Sequence, residues 1–125
     1  MPKRLLLVDD NENQHELFRC YTTTADDFEL GHASDIQQAA EEIKSDAPDV
    51  VFLDNRLHPH EDFRETVPLI REAGFEGKIV LISSDVDHPV FHLAGDFSVH
   101  SCINEFEFTL GNFREKLSEL SASSC

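Results

Sequence analysis

Apolar residues fall along this chain in two alternating patterns. Short unbroken runs, Arg4 to Val8 (RLLLV), Asp49 to Leu53 (DVVFL) and Lys78 to Ile82 (KIVLI), have strand length and no polar alternation. Such runs suit strands buried on both faces, as in a parallel sheet. Phe28 to Ala33 and His100 to Asn104 read as two shorter strands. Between the strands, apolar positions recur at helical spacing. Glu12 to about Ala25 carries Leu17, Phe18 and Tyr21 behind Asn11 as a cap. The segment from Ser34 carries Ile36, Ala39, Ala40 and Ile43, with Ser34 and Gln37 placed for a capping box. A third helix is expected near Asp62 to Ala73, where Pro68 predicts either a kink or a true start near Thr66. Gly74 and Gly77 close it. After a weakly patterned stretch opened by Pro89, Thr109 to Leu120 gives a last helix carrying Leu110, Phe113, Leu117 and Leu120. The order is strand then helix, five times. It predicts an α/β fold, a (βα)5 doubly wound parallel sheet with right-handed crossovers and helices on both faces.

Length keeps this to one unit. The chain has 125 residues, expected as a single domain over 1–121 with a frayed tail over 122–125. At 40% hydrophobic it holds enough apolar material for a core, which excludes a disordered acidic tail. The 25 Asp and Glu against 10 Lys and Arg leave a formal charge of −15. Such a field repels phosphate backbones and anionic lipid heads, so neither nucleic acid nor membrane is expected as a direct partner. Cys20, Cys102 and Cys125 are odd in number and form no CxxC pair, which argues against a zinc module or a disulfide framework. Cys20 and Cys102 read most simply as buried small apolar residues. The opening MPKRLLLVDDNE is too short in apolar length for a signal or a membrane span, so the expected compartment is cytoplasmic.

The candidate chemistry lies at the strand ends. In open parallel sheets the ligand crevice sits beyond the carboxyl ends of the strands, at the topological switch point. Strand one ends on Asp9 and Asp10, strand three on Asp54, strand four on Ser83 and Ser84, and strand five on Asn104 and Glu105. Three carboxylates from two strands converging in one crevice form a hard-cation site. Asp9 and Asp10 could alternatively be a capping pair at the positive end of the first helix. The histidines do not compete: His58 and His60 flank Pro59, His88 and His92 are spaced as one helix face, and neither pair has a third ligand at convincing spacing. Phe106, Glu107 and Phe108 read as edge packing.

These residues resemble a response-regulator receiver domain of the CheY-like family. The resemblance covers nearly the whole chain through LLLVDDN, VVFLDNRL and IVLISSD in the family's order. It implies a flavodoxin-like sheet of strand order 2-1-3-4-5. It also implies Asp54 as phosphoacceptor, Ser83 as the switch hydroxyl that binds the phosphoryl group, and small Ser84 keeping the pocket open. The implied Mg²⁺ set is Asp9, Asp10, Asp54 and the backbone carbonyl of Arg56.

Two departures stand out. The family carries a lysine at the end of strand five, and the common spacing from Ser83 places Glu105 there; shortening the preceding helix would place His100 instead. The ungapped Glu105 is preferred, and neither is a lysine. Two unit charges about 4 Å apart cost on the order of 4 kcal/mol at an effective dielectric near 20, so Glu105 would oppose a phosphorylated aspartate. Arg56, two residues after Asp54, is the best-placed substitute cation. The second departure is Cys102, where the family often has the aromatic that moves with the switch hydroxyl.

The expected function is a stand-alone receiver that takes a phosphoryl group on Asp54 in a Mg²⁺-dependent phosphotransfer of two-component signalling. It is a phosphoacceptor rather than an enzyme. The implied partners are a histidine kinase or histidine phosphotransfer protein and a downstream protein target, with the chain a monomer or weak homodimer. The alternative is a phosphorylation-independent pseudo-receiver, an interaction module that kept the fold. A haloacid-dehalogenase-type phosphohydrolase is disfavoured, because it wants DxD after strand one where Asp9 and Asp10 are adjacent.

Overall fold

A computed structural model describes residues 3–23, 28–55, 57, 62–83, 89, 97, 99–104 and 115. Its elements in chain order are β1 (Lys3–Val8), α1 (Glu12–Thr23), β2 (Phe28–Ala33), α2 (Ile36–Ser45), β3 (Val50–Asp54), α3 (Phe63–Glu72), β4 (Lys78–Ser83) and β5 (Ser101–Asn104). All five strands pair in parallel, in the order β2-β1-β3-β4-β5. This is the doubly wound architecture anticipated from the apolar runs. The expected Thr109–Leu120 helix and the 122–125 tail lie outside the described residues, apart from Glu115 in helical conformation.

The unalternating runs have a direct cause. Leu6 and Val8 of β1, Val51 and Leu53 of β3, and Ile79 and Leu81 of β4 pack with Ala39 and Ile43 of α2 and Phe63, Val67 and Ile70 of α3. The intervening Leu5, Leu7, Val50, Phe52, Val80 and Ile82 form the opposite core with Phe18 of α1 and Ile103 of β5. Each strand thus needs apolar residues on both faces. Withdrawing such a side chain from water contributes about 1.5–3 kcal/mol. Phe18 meets Phe52 edge-on, with ring centroids 5.2 Å apart.

Several local expectations are corrected. The cap of α2 is Asp35, not Ser34: its carboxylate accepts from Gln38 N–H at 2.8 Å, and the Gln38 side chain accepts from Ser34 N–H at 2.9 Å. The cap falls one residue later, with the return bond from Gln38 reaching Ser34 N–H rather than that of Asp35, because Asp is as good a cap as Ser and a carboxylate favours the helix's positive end. Of the two starts left open for α3, the structure takes the earlier, at Phe63, and carries Pro68 inside the helix. Asp62 caps it, accepting from Arg64 N–H at 2.9 Å and pairing with the Arg64 guanidinium at 2.7 Å. Strand β5 begins at Ser101, one residue after His100. On α1 only Phe18 of the expected stripe is shown buried; Leu17 is 38% exposed, and the Tyr21 side chain lies outside the description. Cys20 is exposed rather than buried, and Cys102 is half-buried against the α2–α3 side of the sheet.

Candidate functional site

The switch point lies between β1 and β3, where the chain turns from building the sheet towards β2 to building it the other way. Register there places the acids. Val8 pairs with Leu53, so Asp9 and Asp54, the next residue on each strand, emerge side by side. Asp54 pairs with Ile82, and Ser83 stands one residue beyond, itself paired with Asn104. The carboxyl ends of four strands thus present Asp9, Asp54, Ser83 and Asn104 in a row.

Carboxylate oxygens of Asp9, Asp10 and Asp54 lie within 4.8 Å of one another. Among the described residues this is the one group of three or more His, Cys, Asp or Glu side chains close enough to share an ion. Asp9 is buried, Asp54 half-buried and Asp10 exposed, so the cluster opens to solvent from one side. Asp9 also ties down the start of α1: its Oδ1 accepts from Asn11 N–H, and Asn11 Oδ1 accepts from Asn13 N–H, both at 2.9 Å. Asn11 is thus the cap of α1, as expected, and Asp9 holds the N–H of that cap rather than capping the helix itself. On the other flank, Asn55 follows Asp54 and is buried. Its N–H donates to Ile82 O at 2.9 Å and its Oδ1 accepts from Phe63 N–H at 3.1 Å. It joins β4 to the start of α3 directly beside Asp54.

The donor set suits a small hard cation. Octahedral Mg²⁺ holds oxygens at about 2.0–2.1 Å, which puts neighbouring ligand oxygens about 3 Å apart and opposite ones about 4 Å apart. Three carboxylates within 4.8 Å need only small side-chain rotations to meet that, and the exposed side leaves room for waters.

Two histidines at this end escaped the sequence reasoning. His32 Nε2 donates to the backbone carbonyl of Asp9 at 3.0 Å. Its ring stacks on His15 of α1 with centroids 3.9 Å apart and planes inclined by 17°. Burial, reinforced by neighbouring His32, pushes His15 below the ordinary histidine value. The signal for His32 was its place near the carboxyl end of β2, the neighbour of β1, and only a strand order makes that visible.

Of the other candidates, Arg56, Ser84 and Glu105 lie outside the described residues, as do His58, His60, His88 and His92. His100 cannot take the lysine position. Its N–H donates to Ile79 O at 2.8 Å, which sets it at the amino end of β5, away from the acids.

Residues 5–104 match the family described as the response regulator receiver domain. The chain belongs to this family. Receiver domains are the phosphoacceptor modules of two-component signalling, and that is the system this domain's family serves. Solved structures agree on the fold. A response regulator from Thermotoga maritima is similar at 20% identity and TM-score 0.83, covering 98% of this chain and 100% of that one. The chemotaxis response regulator CheY4 of Vibrio cholerae is similar at 15% identity and TM-score 0.83, covering 96% and 99%. The receiver domain of a sensor histidine kinase from Pseudomonas aeruginosa PAO1 is similar at 16% identity and TM-score 0.80, covering 98% and 100%; that structure has a magnesium ion coordinated in its active-site cleft. A search of curated proteins gives no match. No helix among the described residues is long and apolar enough to cross a membrane.

Proposed function

We propose that this receiver domain accepts a phosphoryl group on Asp54 from a histidine kinase or histidine phosphotransfer protein. The convergence of Asp9, Asp10 and Asp54 within 4.8 Å at the switch point carries this reading. An Asp54 carboxylate oxygen attacks the phosphorus of a phosphohistidine; the P–N bond breaks and the imidazole leaves, taking a proton from solvent. Asp9, Asp10 and Asp54, with the backbone carbonyl of Arg56, would hold Mg²⁺. When bound, the cation neutralises charge on the transferring phosphoryl oxygens. Ser83, at the end of β4 beside Asp54, is the hydroxyl that donates to the phosphoryl group, and small Ser84 leaves it room. Arg56 supplies part of the positive charge that Glu105 does not. The added charge of about −1.5 to −2 biases the segment after Ser83 and so changes the surface offered to a downstream protein. The domain spans 1–121 and acts in the cytoplasm as a monomer or weak homodimer.

The test is intact mass after incubation with Mg²⁺ and acetyl phosphate. A phosphoryl adduct on wild type and none on Asp54→Asn is the expected result, with Arg56→Ala lowering its extent more than Glu105→Ala. No adduct with any donor replaces this reading with a phosphorylation-independent interaction module, the role that Glu105 at the lysine position favours.

A further inference from the structure

The acidic site leans on two histidines that the phosphotransfer chemistry does not use. Asp9 lies one residue past the end of β1, yet the end of β2 still holds both of its backbone groups. Its N–H donates to Ala33 O at 3.0 Å and its carbonyl accepts from His32 Nε2 at 3.0 Å. A carbonyl oxygen only accepts, so this bond requires a proton on Nε2. Stacking on His15 of α1 braces the His32 ring in that orientation.

The carbonyl concerned belongs to the rigid peptide plane that joins Asp9 to Asp10. Anchoring its oxygen fixes ψ of Asp9 and φ of Asp10 together, and with them the relative directions of the two carboxylates. Released, that plane would turn to part three mutually repelling carboxylates. Ligands held together by the fold need not be gathered when the ion arrives, which is how groups behind the ligands tune metal affinity.

We propose that His32, braced by His15, is a positioning residue for a divalent-cation site, fixing the Asp9–Asp10 peptide so that Asp9, Asp10 and Asp54 face one point. The inference rests on the reading of those three acids as a cation site.

Calorimetric titration of the full chain with Mg²⁺ tests it, comparing wild type with His32→Phe, His32→Gln and Asp9→Asn. Phe keeps a flat ring against His15 and loses the donor; Gln loses the ring and keeps an N–H near the Nε2 position. His32→Phe is expected to weaken Mg²⁺ binding about fivefold to tenfold, the worth of one hydrogen bond, with His32→Gln recovering most of it. Wild-type affinity in His32→Phe, or equal weakening in both variants, overturns the proposal. A merely structural role would lower the melting temperature and leave the affinity of the folded protein unmoved. Mg²⁺ binding by wild type that His32→Phe does not change removes the positioning role alone. No Mg²⁺ uptake by wild type, with Asp9→Asn no different, removes the cation site and this inference with it. If His32→Phe does not fold, nitrogen-15 NMR of the wild-type ring near neutral pH decides: a protonated Nε2 is expected, and a bare Nε2 overturns the proposal.

Discussion

A site built to collect a cation should be strained by its own charge when the cation is removed. Asp54→Asn tests this, because the amide matches the carboxylate in shape, keeps an acceptor oxygen and removes one charge. At the 4.8 Å spacing that bounds the cluster, one like-charge pair costs about 1 kcal/mol in water and about 3.5 kcal/mol at an effective dielectric near 20. Asp9 is buried and Asp54 half-buried, but exposed Asp10 brings solvent screening to the cluster. A net relief of about 1–3 kcal/mol at low salt follows, or about 3–10 °C in melting temperature for a domain of this size. The assay is thermal unfolding by circular dichroism near neutral pH, with chelator and with saturating Mg²⁺. In chelator Asp54→Asn should melt above wild type, and added salt should shrink the gap. With Mg²⁺ the order should close or reverse, since an ion that binds only the folded state stabilises wild type more. A variant that melts at or below wild type in chelator, or one that keeps its full advantage in Mg²⁺, would refute the reasoning.

Three further outcomes follow from local geometry. Asp35→Ala should cost about 1 kcal/mol by chemical denaturation while Ser34→Ala stays near neutral; the reverse ranking would return the cap of α2 to Ser34. Gly77→Ala should cost about 1–3 kcal/mol, since a Cβ there would stand 2.6 Å from Asp49 O and 2.8 Å from the Phe75 ring; unchanged stability would show that this turn yields freely. His15 sits below its unfolded value, so the unfolded chain binds more protons there as pH falls beneath about 6.5. Its contribution is present above that pH and lost below it, so His15→Phe should lose less stability than wild type between neutral and mildly acidic pH. Parallel pH profiles for the two proteins would contradict this.

Much of this molecule is written locally. Unbroken apolar runs named three of the five strands almost to the residue, because a strand covered on both faces rarely includes a polar position. A short run ending on acid, at Asp9 and again at Asp54, was enough to nominate the cation ligands. Where two local solutions compete, the sequence pattern is weaker. Ser34 and Asp35 both cap well, and Pro68 is tolerated because α3 already has a strong start in Asp62, its ion pair with Arg64 and the Asn55 bond to Phe63 N–H.

What sequence alone determined was the class of fold, the order of its elements and the list of acids, all properties of near neighbours along the chain. Tertiary structure decided which of those residues meet. The Val8–Leu53 and Asp54–Ile82 pairings bring Asp9, Asp54 and Ser83 to one edge, whereas His100 is carried to the opposite end of β5. His32 acquires its bond to Asp9 only because β2 lies against β1. Register and strand order arise from long-range hydrogen bonding and the burial of both sheet faces, and no local pattern encodes which strand ends will be neighbours.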